Sequence, residues 1–84
     1  MSFKSVENAL TNRHRAILKA VDAGRAEALC GCAPDLLIDG RHCDHLAAHE
    51  LFRAGLIAVA EPGSVGQRVA ARLTDTGRSV LSAA

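Results

Sequence analysis

Apolar positions near the start of the chain fall at Leu10, Ile17, Leu18 and Val21, at spacings of three, four and seven. That spacing predicts a helix over residues 11–23. Thr11 or Asn12 can cap its start, Gly24 stops it, and Arg13, Arg15 and Lys19 take the opposite side. A second helical pattern covers residues 44–54. Asp44 suits its N-cap, Leu46, Ala47, Leu51 and Ala54 can face inward, and Gly55 ends it. His45, His49 and Arg53 follow at steps of four and share a face of that helix.

Strands are expected at residues 56–60 and 69–73, antiparallel to each other. Pro62, Gly63 and Gly66 exclude regular structure between them, and Gln67 and Arg68 sit near the tip. Thr74 caps a last helix over residues 75–82, docked by Val80 and Leu81. Residues 25–43 admit two readings. A short helix at 26–30 is one. The preferred one is a hairpin: 27–32 outward, a turn at 33–35, 36–38 back, then a tight turn at Asp39-Gly40. Residues before Thr11 read as a short helical turn or a loose arm.

Composition changes this picture little. Eighty-four residues make one domain spanning 1–84, small enough that a staple such as a metal ion or a partner subunit would help it. With two Phe and neither Trp nor Tyr, the core must be built from Leu, Val, Ile and Ala. Net charge is +1, so charge alone does not mark a nucleic-acid binder. The charges are uneven, however: basic ends flank an acidic middle, residues 26–50, that holds five carboxylates and one Arg. No apolar run approaches a membrane span and no signal-peptide core is present, so a cytoplasmic protein is expected.

The string Leu51, Gly55-Leu56-Ile57, Arg68, Leu73-Thr74, Gly77-Arg78 and Leu81 covers about 30 residues. It resembles the wing and following helix of MarR-type and related winged-helix regulators. The resemblance implies an α+β winged-helix-like domain of about three helices with a C-terminal hairpin wing, to which the preferred reading of residues 27–38 adds a second short hairpin. It also implies that Arg68 reaches the minor groove or its phosphates and that the 44–54 helix enters the major groove. Two departures stand out. The family's second helix is not recognisable, and the 44–54 helix has Arg53 as its only permanent cation and no Asn, Gln, Ser or Thr for base edges.

The middle of the chain gathers Cys30, Cys32, Cys43, His45 and His49. Three Cys cannot close a set of internal disulfides. Cys30 and Cys32 would point the same way on a strand, and His45 and His49 lie one helical turn apart. Three thiolates with one imidazole would complete a tetrahedral zinc site, one ion per chain. The competing readings are three small buried hydrophobes, or a thiol sensor for a soft ion or a reversible disulfide. His14, in the basic first helix, reads as a surface or half-buried residue. Asp35 and Asp39 flank an apolar triplet and read as turn caps.

No nucleophile elbow, phosphate loop or telling carboxylate pair is present, so no enzyme is expected. The expectation is a DNA-associated regulatory domain. Its contacts would come from Arg68 and Arg72 in the wing and Arg53 on the preceding helix, with Arg13, Arg15 and Lys19 supporting them. The alternative is a protein-interaction module on the same scaffold, with or without a stapling zinc. A homodimer is compatible with either.

Overall fold

The computed structural model describes residues 10–31 and 34–82. In chain order these form α1 (Asn12–Asp22), β1 (Ala26–Leu29), β2 (Asp35–Ile38), β3 (Arg41–His42), α2 (His45–Arg53), β4 (Ile57–Val59), β5 (Arg68–Leu73) and α3 (Asp75–Ser82). The fold is α+β, with a five-stranded antiparallel sheet in the order β3-β2-β1-β5-β4. No described helix is long and apolar enough to cross a membrane. The stretch before Leu10 lies outside the described residues, and with it the expected extra turn or arm.

Of the two readings of residues 25–43, the structure has the hairpin. Ala26 pairs with Ile38 and Leu29 with Asp35. The Asp39-Gly40 turn then feeds a third strand, β3, which the sequence pattern did not indicate. Both turn residues have positive φ, 53° at Asp39 and 80° at Gly40. Such a two-residue loop matches the natural twist of a hairpin, and Asp-Gly tolerates it well. Two paired residues are too few to leave an alternating signature, which is why β3 was not read.

Three helices cover one face of the sheet. Ala26, Ala28, Leu36, Ile57, Val69, Ala71 and Leu73 of the sheet pack there with Ile17, Leu18 and Val21 of α1, Ala47, Ala48 and Leu51 of α2, and Val80 of α3. The α2 face differs from expectation. Ala47, Ala48 and Leu51 are buried, whereas Leu46 and Ala54 are exposed. The apolar arc is centred on Ala47, Ala48 and Leu51, and Leu46 falls a quarter-turn outside it.

The helices are tied together by polar contacts at their starts. Thr11 caps α1: its hydroxyl accepts the His14 amide, and His14 Nδ1 accepts the Thr11 amide. His14 thus does the work that Glu or Gln does in a capping box. Its Nε2 lies 3.2 Å from Glu50 Oε1 on α2. His14 is therefore buried rather than a surface residue, because it bridges two helices. Asp44 caps α2 by accepting the Ala47 amide, and it also pairs with Arg13 of α1.

These contacts hold the Asp44 carboxyl below the usual carboxylate range, first through the Ala47 N–H and then through Arg13. Such a group adds stability above its unfolded value of about 4, and that stability is lost as pH falls through the lower folded value. Asp44→Asn keeps a good cap but takes up no proton. Its melting temperature should therefore fall less steeply than that of the wild type below about pH 4. Identical slopes would mean that Asp44 contributes nothing to acid sensitivity.

Candidate functional site

The β4–β5 hairpin is in register from Ile57–Leu73 to Val59–Ala71, and β5 pairs with β1 on its other side. Along β5, Val69, Ala71 and Leu73 are buried, while Arg68, Ala70 and Arg72 are exposed. Alternation therefore sends both arginines to the face away from the helices. Arg68 is held there by Glu27 on β1, with Nη2 donating to Oε1 at 3.0 Å. The hairpin loop is exposed throughout residues 60–68. It is anchored to the end of β1, where the Cys30 amide donates to Gln67 O and the Gly66 amide to Cys30 O, each at 2.9 Å.

The remaining arginines do not join this surface. Arg13, Arg15 and Lys19 lie on α1, in the helical layer on the other side of the sheet from Arg68 and Arg72. Arg13 is paired with Asp44, and Arg15 is half-buried, with Nη1 lacking a hydrogen-bond partner. Arg53 ends α2, exposed and in no ion pair among the described residues.

The cysteine–histidine segment separates. Cys30 is half-buried under the hairpin loop, so that a Cβ at Gly63 would come within 2.9 Å of its sulfur. Cys43 is half-buried beside a groove of about 730 Å³ lined by Ile17, Ala20, Ile38 and His42. Burial pushes the Cys43 thiol up, and the carboxylates of Asp44 and Asp35 push it further, although a backbone hydrogen bond opposes them. Cys32 lies outside the described residues.

His45 and His49 do come together, but their companion is Asp35. One donor atom from each of Asp35, His45 and His49 lies within 4.8 Å of the other two, and neither Cys30 nor Cys43 belongs to this group. His45 Nδ1 is hydrogen-bonded to Asp35 Oδ1, and His49 Nε2 is 4.0 Å from the same oxygen. The two imidazole centroids are 4.0 Å apart. The i, i+4 spacing on α2 brings the rings together, tilted by 46°, and β2 brings in the carboxylate as its first residue. These three side chains could hold a metal ion. The helical spacing of the two histidines was visible in the sequence. Asp35 was not, because an Asp beside Pro34 also fits a turn.

Compared with known proteins, the chain matches no family model, no curated protein and no solved structure.

Proposed function

We propose that the chain is a small DNA-associated regulatory domain of winged-helix type, with β4 and β5 as the wing and α2 as the helix before it. The observation that carries this reading is that Arg68 and Arg72 both lie on the outward face of β5, with Ala70 between them, continuous with an exposed loop. Two exposed guanidiniums on one face suit contacts to backbone phosphates, which fix a protein on a duplex without reading its sequence. The pairing of Arg68 with Glu27 does not oppose this. Exposed ion pairs contribute about 1 kcal/mol or less, so a phosphate can displace the carboxylate. The arginines of α1 are left out of the contact, because they lie behind the sheet.

Binding to a labelled random-sequence duplex, followed against salt, tests the reading. Affinity should fall steeply with salt, and Arg68→Ala should lower the slope by about one while leaving sequence preference unchanged. Glu27→Gln should raise affinity at low salt by freeing Arg68. No binding at low salt, or an Arg68→Ala variant that binds as the wild type does, would reject the wing as the contact.

The second reading is a protein-interaction module on the same scaffold, with or without a stapling metal. One observation favours it: the outward face of α2 presents Leu46, 69% exposed, and no amide or hydroxyl side chain suited to base edges.

A further inference from the structure

We infer that Asp35, His45 and His49 form a binding site for a divalent transition-metal ion of the zinc, cobalt or nickel class. The site would be open, with three protein ligands and a fourth position facing solvent. The inference stands apart from any contact with DNA and replaces the thiolate set expected from the sequence.

Two independent observations carry it. The first is the donor set. Two imidazoles and one carboxylate suit borderline transition metals, whereas magnesium and calcium prefer all-oxygen surroundings. With metal bonds of 2.0–2.2 Å, tetrahedral ligands stand about 3.3 Å apart. The His49–Asp35 separation of 4.0 Å exceeds this by about 0.7 Å, and the His45–Asp35 contact is shorter. Small side-chain rotations would meet the geometry.

The second observation is His49 Nε2. It is buried from solvent and has no hydrogen-bond partner. A buried polar atom left without a partner is costly and calls for an explanation such as a bound ion. Here the orphaned nitrogen lies 4.0 Å from Asp35 Oδ1, in the group that also holds a His45 donor.

The surroundings define the kind of site. The His45 side chain is 65% exposed and that of His49 25%. Three protein ligands with an accessible side leave room for water or an outside donor, as in exchangeable rather than closed structural sites. An ion there would join the first residue of β2 to the first two turns of α2, at the helix that the sequence places before the wing.

The test uses the full chain, stripped with chelator and titrated with Co(II) and Zn(II), with Mg(II) as the negative control. One equivalent of Co(II) should bind with a visible ligand-field spectrum, and Zn(II) should displace it. In long-range proton–nitrogen spectra the imidazoles of His45 and His49 should shift, while those of His14 and His42 stay in place. Asp35→Asn and His49→Gln should each weaken binding by more than the 10–100-fold typical of losing an outer-shell partner. Cys30→Ser and Cys43→Ser should bind as the wild type does. Far-ultraviolet dichroism of each variant separates loss of a ligand from loss of fold. A wild-type chain that binds no Co(II) would overturn the inference. So would binding that survives in Asp35→Asn and His49→Gln but fails in the cysteine variants, which would return the metal to the thiols.

Discussion

Gly77→Ala should be the most damaging single-methyl change in this protein. A Cβ at Gly77 would lie 1.9 Å from the Leu56 carbonyl oxygen and 2.9 Å from its carbon. Both are backbone atoms, so no side chain can swing aside. The contact is locked from both ends. The Thr74 amide donates to Leu56 O and the Thr74 hydroxyl to Gly55 O, while the Gly77 amide donates back to Thr74 Oγ1. Relief requires α3 to lift off β4, which would uncover Val80, a fully buried side chain. Overpacking of this kind costs about 3 kcal/mol. For a domain of this size that is a fall of roughly 12–24 °C in melting temperature. Ser79→Ala, exposed on the same helix, should stay within about 0.5 kcal/mol of the wild type. A Gly77→Ala variant that melts with the Ser79→Ala control would show that α3 does not rest on the Leu56 backbone.

Two leucines of α2 should behave as opposites. Leu51 is 1% exposed and packed into the core, whereas Leu46 is 69% exposed. Leu51→Ala removes buried methyl groups and leaves a cavity, at a cost of about 2–5 kcal/mol. In a core without Trp or Tyr, few large side chains can shift to fill it. Leu46→Ala should change stability by less than about 0.5 kcal/mol. Urea unfolding of both variants decides the matter. Comparable losses would mean that α2 is rotated about its axis and that Leu46, not Leu51, is the core residue.

These predictions also mark where the sequence could be read and where it could not. The G-L-I and L-T-x-x-G strings were recognisable as motifs, but their one-dimensional form hid that they are halves of a single contact. Gly55-Leu56 and Thr74–Gly77 meet across the β4–β5 hairpin, so the need for glycine at 77 belongs to the pair. His14 illustrates the same limit. Its place in a basic helix suggested a surface or half-buried residue, and only the approach of α2 makes it a buried bridge. For the candidate metal site, the helical repeat put His45 and His49 on one face, yet the third donor depended on where β2 begins. The cysteines ran the other way. They are close in sequence to the histidines, but β1 carries Cys30 to the hairpin loop, and Cys43 turns towards the groove beside α1.

What the sequence determined by itself was local. The extents of α1, α2 and α3, the caps Asp44 and Thr74, the Asp39-Gly40 turn and the β4–β5 hairpin all follow from side-chain periodicity and backbone preferences within a few residues. The tertiary structure decided which side chains meet. It put Arg68 and Arg72 on one side of the sheet and Arg13, Arg15 and Lys19 on the other, and it gave the two histidines of α2 an aspartate from β2. The physical reason is range. Caps and turns are set by bonds between neighbours, whereas a ligand set or a charged face depends on strand register and on which layer each element joins. Those are settled by burying one apolar face of the whole sheet at once.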